Sequence, residues 1–195
     1  MKKILPFYDF VLGFLYLLFT TLEYIPAFNI EEVFHFGDWC FVTGIIGGVI
    51  FIVSGILELR GKGISVYLHF YNTVLLSLIF IGTIAIGLNL GGNLWFLHVF
   101  GPLFVLFRFF AFCDCRKIGK ASKVWLLGLA PVVYIVLTFI ILLVSGKCPF
   151  PARMLFQFNN YFITAGGTAA LILVICGYGF CLYYLNVVIN RKFRK

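Results

Sequence analysis

The stretch Val124-Trp125-Leu126-Leu127-Gly128-Leu129-Ala130-Pro131-Val132-Val133-Tyr134-Ile135-Val136-Leu137-Thr138-Phe139-Ile140-Ile141-Leu142-Leu143-Val144 contains no charged side chain. As a helix it would reach roughly 30 Å, the thickness of the hydrocarbon core of a bilayer. A helix on the surface of a soluble domain needs a polar stripe, and this run has none. It reads as a membrane-spanning helix, the structure that satisfies its own backbone hydrogen bonds in lipid.

The same pattern recurs outward in both directions. Apolar helices are expected at about Leu5–Tyr24, Trp39–Leu59, Val66–Leu88, Leu94–Phe112 and Tyr161–Val188. Pro26 and Glu31-Glu32 end the first, and Arg60-Gly61-Lys62-Gly63 ends the second. Gly87 to Asn93 breaks the third from the fourth. A basic loop, Arg116 to Lys123, precedes the fifth. Lys147-Cys148-Pro149-Phe150-Pro151 forces a turn before the sixth, because proline cannot continue a helix. The expected fold class is therefore all-α, a polytopic bundle of six transmembrane helices forming one integral-membrane domain.

Composition agrees. The 195 residues are 63% hydrophobic and 11% charged, against about 25% charged in a soluble domain. The start Met1-Lys2-Lys3 before an apolar run imitates a signal peptide. Asp9 interrupts that run and no small-residue cleavage site follows, so it reads as a retained first helix.

The net charge of +8 does not indicate nucleic acid, because the basic residues form no aromatic-interleaved patch on a soluble module. They flank the apolar runs. Twelve (Lys2, Lys3, Arg60, Lys62, Arg116, Lys117, Lys120, Lys123, Arg191, Lys192, Arg194 and Lys195) fall on one alternating set of flanks. Only Lys147 and Arg153 fall on the other. Basic residues in short loops stay in the cytoplasm, so both termini are expected there. The expected home is a plasma membrane.

The six cysteines match no zinc spacing, and no metal, nucleotide or other cofactor is implied. Cys113 and Cys115 fall in the cytoplasmic loop and are expected to stay reduced. Cys40 and Cys148 share the outer side, and a disulfide between them is not the favoured reading.

Polar groups inside a membrane are expensive and each needs a reason. Candidates are Thr43 and Ser54 on helix 2, His69, Asn72, Thr73 and Ser77 on helix 3, and His98 and Arg108 on helix 4. Tyr134 and Thr138 follow on helix 5, with Asn159, Asn160 and Tyr161 at the start of helix 6. Helices 2 and 4 run in the same direction. Thr43 and His98 each lie about four residues in, about 6 Å below the outer boundary. An imidazole there can act as base and a hydroxyl as nucleophile. The structural alternatives are a His98 that pins the Asn89–Asn93 loop and a Thr43 bonded to its own helix. Arg108 lies about 15 Å deeper than His98 and is expected to snorkel to the inner headgroups. His35 and His69 are expected at the outer and inner interfaces in structural roles. Gly44-x-x-x-Gly48 is expected to pack helices tightly.

The run Asn93-Leu94-Trp95-Phe96-Leu97-His98-Val99-Phe100-Gly101-Pro102-Leu103 resembles helix 4 of the androgen-induced membrane hydrolase family and its bacterial six-helix relatives. Trp125 to Tyr134, Cys148-Pro149-Phe150-Pro151 and Phe41-Val42-Thr43 extend the resemblance. It implies a threonine-type lipid-ester hydrolase with His98 and Thr43 as catalytic residues. The substrate would be a lipid or fatty-acid ester entering from the outer leaflet, with Asn93, Asn72, Tyr161 and Arg108 as substrate-binding candidates. Arg108 stands where the family has an acidic residue. Membrane lipids are the implied partners, and nothing in the sequence fixes an oligomeric state. The alternative class is a non-catalytic multi-pass protein, either a small transporter or a lipid-binding scaffold.

Overall fold

The computed structural model describes residues 4–24, 37–87, 90–149, 152 and 160–193. The architecture is all-helical, with no strand among the described residues. The order is α1 (Leu5–Tyr24), α2 (Trp39–Leu59), α3 (Val66–Ile86), a π-helical turn (Phe96–Phe100) running into α4 (Gly101–Phe112), a 3-10 turn (Cys115–Ile118), a 3-10 segment (Ala121–Gly128) running into α5 (Leu129–Ser145), and α6 (Tyr161–Phe193). Five of these stretches are long and apolar enough to cross a membrane. Phe96–Phe112 is apolar but shorter. The protein is a multi-pass integral membrane protein. Large apolar side chains such as Phe7, Phe107, Val133, Leu143 and Leu173 lie exposed on the helices, as lipid contact requires.

The helix ends follow from the residues that make them. Gly87 and Gly146 adopt φ of 66° and 68° and close α3 and α5 as left-handed C-caps. Ser65 caps α3 by accepting the Tyr67 N–H. α6 runs to Phe193, five residues beyond the expected end, carrying Arg191 and Lys192 in its last turn where they complement the helix dipole.

α1 and α2 pack antiparallel at a spacing only small residues allow. A Cβ on Gly13 would lie 2.6 Å from the Gly48 carbonyl oxygen, and one on Gly55 would lie 2.7 Å from that of Pro6. Gly44 packs against Thr20 in the same seam. The small-residue spacing Gly44-x-x-x-Gly48 thus serves the close approach expected of it.

One end of the bundle gathers the basic loops and the start of α1. Asn186 and Asn190 on α6 tie down the chain there. Asn186 accepts the Cys115 N–H at 2.9 Å and donates to the Phe109 and Cys113 carbonyls, and Asn190 also donates to Cys113. These bonds satisfy carbonyls that the end of α4 leaves free. Beside them Arg116 clasps Asp114, which holds that carboxyl below the usual range. Tyr67, Tyr71 and Tyr183 donate to the carbonyls of Ile118, Lys123 and Gly119 and hold the same loop.

None of the six cysteines is in a disulfide, so Cys40 and Cys148 are not bridged.

Candidate functional site

The π-helical turn is where the sequence positions a histidine. Pro102 has no N–H to give to the carbonyl four residues back, which belongs to His98, and its ring crowds that carbonyl. The helix widens instead, and the Gly101 N–H reaches the Phe96 carbonyl. Gly101 also admits the Tyr16 hydroxyl, which a Cβ there would meet at 2.7 Å. Such one-turn bulges re-aim side chains and recur at functional sites.

Here the bulge brings His98 Nδ1 to 2.7 Å from Thr83 Oγ1 on α3. The Thr83 hydroxyl also lies 2.8 Å from the Ile79 carbonyl oxygen of its own helix. Both residues are buried, His98 at 5% exposure. Both line a cavity of about 230 Å³ together with Trp39, Cys40, Ile79 and Gly82. Leu171 and Val174 of α6 close its far side. His98 Nε2 makes no hydrogen bond among the described residues.

Thr43 lies elsewhere. Its hydroxyl donates to the Trp39 carbonyl at 2.6 Å, one turn back. It lines a second cavity, of about 190 Å³, with Ile46, Ile50, Leu68, Tyr71, Asn72 and Leu75. Asn72 Nδ2 reaches the Gly47 carbonyl at 3.4 Å. The structure thus brings Thr43 to Asn72, and His98 to Thr83. The expected Thr43–His98 pairing is not formed. Equal depth left the rotation of each helix open, and α2 turns Thr43 towards α3.

Asn93 is half-buried in the turn before the π-helix, and its carbonyl accepts the Phe96 N–H. Among the described residues His98 is tied to α3; Asn89, at the start of the loop it was expected to pin, lies outside them. Tyr161 opens α6, but its side chain, with His35 and Asn159, lies outside the described residues.

Arg108 does not snorkel. It is 2% exposed and points into the bundle, where its Nε and Nη2 donate to the two oxygens of Asp9, each at 2.7 Å. Asp9 is fully buried and also accepts from Ser54 at 2.7 Å. Nη2 further donates to His69 Nε2 at 2.9 Å, and Nη1 reaches Cys113 Sγ at 3.0 Å. Since Nη2 can only donate, His69 Nε2 must accept, so a neutral His69 carries its proton on Nδ1. Glu58 stands 3.7 Å away as a second carboxylate. The reason for the correction is electrostatic: a buried carboxylate on α1 and a guanidinium on α4 at the same depth satisfy each other better than either could alone.

Asp9, Glu58 and His69 offer ligand atoms within 4.8 Å of one another, a spacing a metal could use. Arg108 Nη2 already stands within 3.7 Å of an atom of each, so a cation would have to displace the guanidinium. Asp9 and Glu58 were not among the sequence candidates. The signal was present: Asp9 lies four residues inside α1 and Arg108 four from the end of α4, an antiparallel match in depth.

No family model, curated protein or solved structure matches this chain.

Proposed function

We propose that this chain is a six-span membrane protein that takes a lipid-like molecule from the bilayer into the cavity beside His98. The observation that carries this reading is an imidazole nitrogen with no hydrogen bond among the described residues, set in walls that are otherwise almost wholly apolar. Lipid sites combine apolar bulk with a few placed polar groups. At about 230 Å³ the space exceeds the ~150 Å³ that holds benzene in an engineered core. It suits part of an acyl chain or a ring. The twelve basic flanking residues support an orientation with both termini in the cytoplasm and the cavity in the outer half. The resemblance to bacterial six-helix proteins favours a bacterial plasma membrane.

Hydrolysis of a lipid ester is the enzymatic form of the same site. Thr83 holds one nitrogen of His98, the arrangement that orients a base, and Nε2 would draw a proton from water attacking the ester. This version needs no role for Thr43, whose hydroxyl is committed to Trp39.

Purified protein in nanodiscs, irradiated with a diazirine-bearing long-chain lipid, tests the binding reading. Adducts should map to Leu78–Ala85 and Leu171–Val174 and fall sharply in Gly82→Leu. A Cβ at Gly82 meets nothing within 4 Å, so the larger side chain fills the cavity without strain. Labelling spread evenly over lipid-facing residues would defeat the proposal. A long-chain nitrophenyl ester tests the enzymatic form: turnover should vanish in His98→Ala and persist in Thr43→Ala.

A further inference from the structure

The proton positions at His98 follow from hydrogen-bond arithmetic and narrow the ligand. Thr83 has a single hydroxyl proton and two neighbours, the Ile79 carbonyl at 2.8 Å and His98 Nδ1 at 2.7 Å. A carbonyl oxygen can only accept. If the proton goes to Ile79, the Thr83 oxygen accepts from Nδ1–H and both contacts are hydrogen bonds. If it goes to Nδ1, the Thr83 and Ile79 oxygens face each other at 2.8 Å with no proton between them. The first arrangement forms two bonds and the second forms one with a repulsion, so the first is the stable one.

No carboxylate among the described residues is bonded to His98, and the cavity is apolar, so the ring is held neutral by the cost of burying a lone charge. A neutral ring with its proton on Nδ1 has a bare lone pair on Nε2. His98 therefore offers the ligand an acceptor and no donor. The geometry points to a ligand that is itself a donor: a lipid alcohol, whose hydroxyl donates to His98 Nε2 while its chain fills the space among Ile79, Gly82, Leu171 and Val174. A carboxylate, an ester carbonyl or an ether would set its lone pairs against that of Nε2. This inference rests on the proposed lipid site and adds the chemistry of its polar end.

Trp39 lines the cavity, whereas Trp95 and Trp125 are about half exposed on the outer surface of the helices. In the full chain carrying Trp95→Phe and Trp125→Phe, Trp39 fluorescence reports on the cavity alone. The probes are a mid-chain dibrominated dodecanol and its methyl ether, titrated into detergent-solubilised protein. Quenching should saturate, with the alcohol reaching half-effect at about fivefold lower concentration than the ether. His98→Phe should erase that preference. Thr83→Val frees Nδ1, lets the proton sit on Nε2, and should improve the ether until the two probes match. Equal binding of both probes to the wild-type ring, with loss of both in Gly82→Leu, would overturn the donor inference and leave the lipid site standing. A preference that survives both His98→Phe and Thr83→Val would also overturn it. Absence of saturable quenching by either probe would remove the lipid site itself.

Discussion

Removing one member of the Asp9–Arg108 pair leaves the other as a buried charge without its bidentate partner, which costs about 3–5 kcal/mol. Asp9→Asn and Arg108→Met should each lower unfolding stability by about that much, measured by denaturant titration in mixed micelles. The double variant Asp9→Leu with Arg108→Met should recover part of the loss, because the fully buried pair leaves together and only the partly exposed Glu58, 3.7 Å from Arg108, loses a partner. Arg108→Lys should resemble the single losses. A lysine ammonium cannot supply the two parallel bonds that Nε and Nη2 make to Asp9. At His98 the effects should run the other way. His98→Ala should leave folding nearly intact and remove ligand binding, since its one bond is to an uncharged hydroxyl.

The π-helical turn is the element on which the site depends. Pro102→Ala restores an N–H that can reach the His98 carbonyl, so the turn should tighten to an ordinary helix and carry His98 away from Thr83. Trp39 quenching by the bromoalcohol should weaken while thermal stability holds or rises. Stability falling together with binding would mean that Pro102 is needed for folding instead. Most helix ends were legible because Gly87, Gly146, Pro149 and Arg60 punctuate the sequence where the chain turns. From Val124 onward the sequence reads as ordinary helix and Ala121–Lys123 as loop, whereas Ala121–Gly128 forms a 3-10 segment; side-chain pattern barely distinguishes the two helix types. The site was legible in one residue and not in its partner. His98 stood out as an imidazole in an apolar run. Thr83 is not among the sequence candidates, because a threonine in a membrane helix ordinarily bonds the carbonyl one turn back, as Thr83 also does. Depth can be counted from sequence, but the direction a nearly all-apolar helix faces is set by packing.

Across the whole molecule, the charge asymmetry makes a claim that intact cells can check. An impermeant amine-reactive reagent should modify Lys147 from outside, and should reach Lys62 and Lys120 only after permeabilisation. The proposed binding site is the cavity between α3 and α6 with His98 on its wall. An experimental map of the protein, purified in mild detergent and bound to a fiducial antibody fragment, tests it most directly. Elongated density is expected between Gly82 and Val174, ending within hydrogen-bond distance of His98 Nε2, with Nδ1 still on Thr83. A cavity filled by the protein's own side chains, with His98 turned away from Thr83, would contradict it.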